Sequence, residues 1–239
     1  HNQDTVAWAE FGSSVPRPRA ILAISAHWYI GGLQVTAMEQ PRTIHDFAGF
    51  PPELFAIGYP APGSPQVATE VATALSPEAV HLDRSGWGLD HGTWSVLAHM
   101  FPAADVPVVQ LSLDARQDVA WHIAQARRLN ELRTSGVLVV GSGNVVHHLG
   151  RLDWSQPDAG FPWAERFDAD VRQVLQTDPA RIVDLVDHPD FRAAVPSPDH
   201  FLPLVYFAGL AAESGALPST LVSGYAYGSL SMASYRLGG

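Results

Sequence analysis

Three short runs of apolar, β-compatible residues set the fold class of this chain: RAILAIS at 19–25, VPVVQLSL at 106–113 and GVLVVGSG at 136–143. Each is apolar at successive rather than alternate positions, the pattern of inner strands covered on both faces, and each gives way to polar or glycine-rich residues. Elsewhere the pattern becomes helical: SPQVATEVATALS from Ser64, GTWSVLAHMF from Gly92 and RQDVAWHIAQARRLNEL from Arg116, with a further helix expected over PWAERFDADVRQVLQ from Pro162 and a buried one over PLVYFAGLAAES from Pro203. This alternation predicts an α/β fold, a single domain over 1–239 with a central, mostly parallel or mixed sheet flanked by helices. The tail TLVSGYAYGSLSMASYRL returns to a strand-like pattern, and no internal repeat or linker is visible. In open α/β sheets ligands bind beyond the carboxyl ends of the strands. His27 follows the first of these strands and His147 the third, so both fall where a site is expected.

Composition removes whole classes of chemistry. With 239 residues, 46% of them hydrophobic, the chain can fill a substantial core. It contains no cysteine, which excludes disulfides, iron–sulfur clusters, cysteine–zinc sites and thiol nucleophiles; any metal must be held by His, Asp or Glu. All 14 cationic residues are Arg, which removes Schiff-base chemistry and the P-loop lysine. The net charge of −10 and the lack of a basic cluster argue against nucleic acid as a partner. No run approaches the roughly 18 to 20 apolar residues of a membrane span, and HNQDTVAWAEFG lacks the regions of a signal peptide. A cytoplasmic protein with no membrane partner is therefore expected. Gly141 and Gly143 in GSGN resemble a phosphate loop, but without the third glycine of the dinucleotide fingerprint the nucleotide reading is rejected.

Histidine is the residue type that remains. Of 11 in the chain, four stand out by context: His27 in SAHW, His91 in DHGTW, His147 in SGNVVHH and His200 in SPDHFLP. Taken singly, a histidine is more often a satisfied polar group at a half-buried position than a functional one. Four at the ends of elements change that balance, although imidazole suits Fe, Zn, Cu and Ni alike.

The strings PRPRAILAISAHW, TIHDFAGFPPELF, YPAPGSP, GLDHGTWSVL, VVQLSL, SGNVVHHL, PDHFLPL and GSLSM, in this order, resemble the bacterial and plant DOPA-dioxygenase branch of the class III extradiol ring-cleavage dioxygenases. The resemblance runs from about Pro16 to the C-terminus. It implies Fe(II)-dependent opening of a catechol-type ring by O2, with a small aromatic diol as substrate. It also implies a metal held by two histidines and a third ligand, a carboxylate in some relatives and a histidine in this branch. His27 matches a histidine ligand and His200 the third position, while His147 matches the acid/base catalyst and His91 a histidine near substrate and O2. The family's other histidine ligand lies in an HGSP-like turn after an N-terminal strand, upstream of the position matched by Trp8. It is not carried onto His1: either that strand and turn are missing from this sequence, or the metal site is incomplete.

The chemistry suits those residue types. A metal with open positions can chelate both catechol oxygens and bind O2, and a histidine titrating near neutrality can take a phenolic proton and return it. His45 and Asp46 in TIHDF are secondary candidates beside the pocket, with loop stiffening an equal alternative. Trp28, Phe50 and Trp94 are candidates for an apolar slot around the aromatic ring, although most aromatics are core filler. His148 is read as structural or exposed, since adjacent side chains on an extended segment face opposite ways. Zn(II) is expected to compete for the same nitrogens in purified protein. A zinc-dependent hydrolase and a non-catalytic binding module on the same fold are the competing functions, and an oligomer is left open.

Overall fold

A computed structural model describes residues 2–49 and 51–238; His1 and Phe50 lie outside the described residues. In chain order the elements are α1 (Gln3–Ser14), β1 (Ala20–Ile30), β2 (Leu33–Thr36), α2 (Pro52–Phe55), α3 (Pro65–Ala74), β3 (Val80–Asp83), α4 (His91–Met100), β4 (Val108–Asp114), α5 (Val119–Arg128), α6 (Asn130–Thr134), β5 (Val137–Ser142), α7 (Pro162–Thr177), α8 (Phe191–Ala194), α9 (Leu202–Ser214), β6 (Ser219–Val222), β7 (Tyr225–Ala226), β8 (Leu230–Ser231) and β9 (Ser234–Arg236). The class is α/β, as the alternating pattern predicts. Among the described residues no helix is long and apolar enough to cross a membrane.

The chain divides into two compact units, one running to Arg116 and including Glu131–Ser142, the other Gln117–Asn130 with the residues from Gly143 onward. The first holds a five-stranded mixed sheet in the order β3-β2-β4-β1-β5. β1 pairs in parallel with β4 and β5, β2 in parallel with β3, and β2 meets β4 antiparallel. All seven residues of β4 are buried, which is why VVQLSLD shows no alternation. β5 corrects the sequence reading: VLVV has the composition of an inner strand, yet it lies at the sheet edge and is buried fully only at Val137.

β1 also runs further than expected, to Ile30 rather than ending at His27. Its register with β4 shifts between Ile24 and Tyr29, so the segment carrying His27 bulges out of the ladder. A bulge of this kind bends the strand and re-aims a side chain. The His27 N–H donates instead to the Ser25 hydroxyl, 3.2 Å away.

Helix starts in this unit follow capping chemistry. Ser64 accepts from the Val67 N–H with Pro65 in the first helical turn of α3, and Asp90 accepts from the Thr93 N–H to start α4. Asp90 is fully buried, and its other oxygen takes the Gln110 amide of β4, whose own oxygen accepts from the Thr93 hydroxyl at 2.9 Å. The first residue of α4, His91, is thereby tied to the central sheet by paired polar groups.

Asp83, at the end of β3, organises the turn leading toward α4. Its carboxylate accepts the backbone N–H groups of Ser85, Gly86 and Trp87 at 3.1, 2.6 and 2.6 Å. Burial pushes this carboxyl up, but the three amide donors and the charge of His81 outweigh it and hold it below the usual aspartate range. A group whose folded value is depressed stabilises the fold fully above its unfolded value, about 3.9, and loses that contribution as pH falls through the folded value. Asp83→Ala is expected to cost about 1–3 kcal/mol at neutral pH. The gap from the unsubstituted protein, measured by denaturant unfolding, should narrow as pH drops below about 4; a gap independent of pH would show that the charge contributes nothing.

In the second unit α5 and α9 cross closely at Gly209, where a Cβ would meet the Ala126 methyl at 2.5 Å and the Ile123 carbonyl at 2.9 Å. The helical pattern from Arg116 breaks into α5 and α6 at Leu129. The strand-like tail forms two small antiparallel pairs, β6 with β9 and β7 with β8. The β7–β8 pair is joined to α7 through Asp168, which is 1% exposed and accepts from Ser231 Oγ at 2.6 Å, Arg172 Nη2 at 2.8 Å and the Tyr225 hydroxyl at 3.2 Å. Burial and the Asp168 charge push the Tyr225 phenol up to about 12, which keeps it a donor.

Candidate active site

Two of the four singled-out histidines meet in the first unit. His27 projects from the bulge of β1, His91 opens α4, and between them stands Asp46 from the loop after β2. That loop is brought in by a bridge between Thr43 and Leu89 and by the Ile44 N–H donating to the Leu89 carbonyl, two residues before His91. Asp46 Oδ1 accepts from both the backbone N–H and the Nδ1 of His91, each at 2.9 Å. Its Oδ2 lies 3.4 Å from His27 Nδ1, and the two imidazole centroids are 3.9 Å apart. Burial pushes the Asp46 carboxyl up, but hydrogen bonds from the His91 side chain and backbone, with that residue's charge, outweigh it and hold it below the usual range. The close approach of α4 needs glycine next to His91: a Cβ on Gly92 would lie 2.5 Å from Ser25 Oγ and 2.9 Å from His27 Cδ2.

Among the described residues, His27, Asp46 and His91 form a group able to hold a metal ion, with one donor atom of each lying within 4.8 Å of the others. Two imidazoles and a carboxylate are the donor set of many non-haem iron sites and also suit zinc. The residues therefore fit a divalent metal chemically. At the distances observed, Asp46 acts as the hydrogen-bond acceptor that sets the orientation of His91 and faces Nδ1 of His27. An outer carboxylate of this kind fixes the tautomer and ring plane of a metal-ligating histidine, whose Nε2 then serves the metal.

The other two meet in the second unit. His147 is held by its N–H donating to the Ala194 carbonyl at 2.9 Å and by a bridge to Leu230. His200 stacks on it, with ring centroids 3.4 Å apart and planes within 6°. His200 Nδ1 lies 3.1 Å from Asn144 Oδ1, and the Asn144 N–H donates to the His200 carbonyl at 3.0 Å. Asn144, two residues after the strand β5, is not among the residues that the sequence singles out; it stands in SGNVVHH behind glycines that suggest a phosphate loop instead. Adjacent His148 is tied by backbone to Ser229, its N–H donating to the Ser229 carbonyl and its own carbonyl accepting from Ser229 Oγ.

The substrate-slot candidates separate. His45 Nε2 lies 2.8 Å from the Ile57 carbonyl, and its ring is 5.6 Å from Trp94 and 5.9 Å from Phe47. Phe47 meets His91 edge-on at 5.2 Å, so this cluster adjoins the metal-capable group through a residue that the sequence alone does not mark. Trp94 is buried and donates its indole N–H to the Ile44 carbonyl, while Trp28 is buried and stacked on Trp87 at 5.6 Å.

The arrangement can be set beside known proteins. A family model described as the catalytic LigB subunit of aromatic ring-opening dioxygenase matches residues 6–237. A protein of Escherichia coli (strain K12) named 4,5-DOPA dioxygenase extradiol is 44% identical over 242 residues, covering 99% of this chain and 89% of that one. A protein of Beta vulgaris bearing the same name is 36% identical over 203 residues, with 83% and 75% covered. A crystal structure of an uncharacterized protein from Escherichia coli K12 superposes with a TM-score of 0.86 at 39% identity, covering 98% of this chain and 92% of that one. The chain belongs to the LigB family and is an extradiol aromatic ring-opening dioxygenase, an oxidoreductase of a metal-dependent kind.

Proposed function

We propose that the enzyme opens a catechol-type ring with O2 at a non-haem Fe(II) ion, and that its substrate is DOPA or a close relative of it. The names of the Escherichia coli and Beta vulgaris relatives support the substrate class. The roles follow the family resemblance: His27 and His200 as metal ligands, His147 as acid/base, His91 beside substrate and O2. The observation that carries the reading is Asp46 standing 3.4 Å from His27 Nδ1, the carboxylate setting expected behind an imidazole that serves a metal, while its other oxygen holds His91 Nδ1 at 2.9 Å beside it.

When bound, the metal would supply open positions for both diol oxygens and O2, overcoming the spin restriction on their direct reaction. The chain's own residues supply the rest. His147 takes a phenolic proton as the substrate binds and gives it back as the ring opens, within the pH range where imidazole carries either state. His91, oriented by Asp46, presents its other ring edge as a polar contact beside the apolar ring of Phe47. His45 and the Trp94 neighbourhood are proposed to border the substrate ring.

Metal-stripped protein reconstituted with Fe(II) or with Zn(II), then offered DOPA or catechol in air and under argon, tests this. A yellow semialdehyde product is expected only with Fe(II) and air, with O2 consumed mole for mole and DOPA turned over at the higher kcat/KM. Semialdehyde formed in air with Zn(II) as readily as with Fe(II) would remove the iron assignment, and catechol outrunning DOPA would remove the substrate assignment.

A further inference from the structure

The polar chain behind His200 has a direction that can be read from chemistry alone. Asn144 Nδ2 donates to the Ser231 backbone carbonyl at 3.0 Å, a group that can only accept. That contact decides which way the Asn144 amide faces: its nitrogen must point to Ser231, so its oxygen points to His200 Nδ1, 3.1 Å away. An amide oxygen only accepts, so His200 must carry a proton on Nδ1, which in the neutral imidazole leaves Nε2, 3.9 Å from Asp199 Oδ2, as the basic nitrogen. The Ser231 carbonyl is itself fixed. Its residue donates Oγ–H to buried Asp168 at 2.6 Å and its N–H to the Val146 carbonyl at 3.0 Å. Asp168 is anchored in turn by Arg172 and Tyr225.

The plane of the His200 ring is set separately, by its stack on His147. Stacking tolerates a half-turn of the imidazole about its long axis; the Asn144 contact does not, because the turned ring would place a carbon against the amide oxygen. The two restraints are therefore complementary.

We infer that Asn144 is a positioning residue that selects the Nδ1–H tautomer of His200 and so directs Nε2 to the metal, held in register by the relay through Ser231 to Asp168. This rests on the assignment of His200 as a ligand in the proposed function. The relay reaches His200 at Nδ1 and acts through that ring alone, so its loss should appear as metal affinity rather than as an altered chemical step.

The experiment is a competition titration of metal-stripped protein with Zn(II) and Fe(II) against a chromophoric chelator. Asn144→Ala should weaken the metal Kd by about ten- to a hundredfold, the usual cost of losing an outer partner of a ligand. Its kcat should return toward that of the unsubstituted enzyme once Fe(II) is saturating. Asn144→Asp, which keeps an oxygen acceptor against Nδ1, should recover most of the affinity, and Ser231→Ala should fall between. Heteronuclear NMR of the metal-free protein should show His200 in the Nδ1–H form, and that preference should vanish in Asn144→Ala. If Asn144→Ala fails to fold, the NMR tautomer and the Asp variant carry the test: a His200 in the Nε2–H form, or affinity in Asn144→Asp as weak as in His200→Ala, overturns the inference. Unchanged affinity in Asn144→Ala beside lost affinity in His200→Ala also overturns it. Unchanged affinity in His200→Ala would instead overturn the ligand assignment beneath it.

Discussion

His27→Ala is expected to come off a metal-loading column without its metal and to show no ring opening above background, even with Fe(II) in excess. The cost should exceed the roughly 10- to 100-fold loss that follows removal of an outer-shell partner, because a donor atom itself is gone. The fold should survive. β1 is held by backbone pairing of 21–24 with β4 and 20–25 with β5, and His27 lies in the bulged segment outside those ladders. The measurements are metal content by elemental analysis after dialysis, the thermal midpoint of the metal-free protein, and semialdehyde formation in air. A His27→Ala protein that keeps stoichiometric iron would sink the assignment, and with it the reading of Asp46 as the carboxylate behind a ligand. Loss of metal together with a collapsed thermal midpoint would point to folding instead, so the two must be measured on the same preparation.

What the sequence discloses about this fold and site divides along physical lines. β1, β4 and β5 are legible because short, continuous apolar runs bounded by turn residues are the pattern of buried strands, α7 because its apolar spacing persists over four turns, and α9 because its apolar run is too long for an ordinary strand. β2 and β3, four residues each, are not. LQVT and VHLD are too short to establish a period, and they become strands only by pairing with one another and with β4. α1 escapes for a related reason: none of its residues is fully buried, so it leaves little apolar pattern to read. That β5 is an edge strand also depends on partners, since composition says how apolar a strand is and nothing about how many neighbours it has.

The same division holds at the site. The four histidines are visible from their settings in short motifs, and the family resemblance gives each a role. The grouping of His27 with Asp46 and His91 depends on the Thr43–Leu89 bridge, a long-range contact with no local signature. The bulge that aims His27 is a mismatch between two strands, visible in neither alone. Asn144 and Phe47 act through the partners they meet, Ser231 and His91, far away in sequence. Single residues with distinctive chemistry can be picked out of a string; the polar atoms that orient them generally cannot.

His147→Ala is expected to keep its iron and to lose turnover by roughly a hundred- to ten-thousandfold, the range for a missing general acid/base. The reasoning starts from the two steps the reaction asks of a protonatable group: it must accept a phenolic proton from the diol and later return one. A metal-ligating imidazole cannot do this, because its lone pair is committed to the metal. His147 is positioned by backbone, through its N–H on Ala194 and the bridge to Leu230, so truncating its side chain leaves that framework in place. His200 would lose a stacking partner but keep Asn144 against Nδ1, which is why its hold on the metal should persist. Paired with His27→Ala, the substitution separates two roles that both end in an inactive enzyme, and metal analysis is the readout that tells them apart. An iron-free His147→Ala would make His147 a ligand. One with its full complement of iron and undiminished semialdehyde formation in air would make it structural, leaving the proton transfers to some other group.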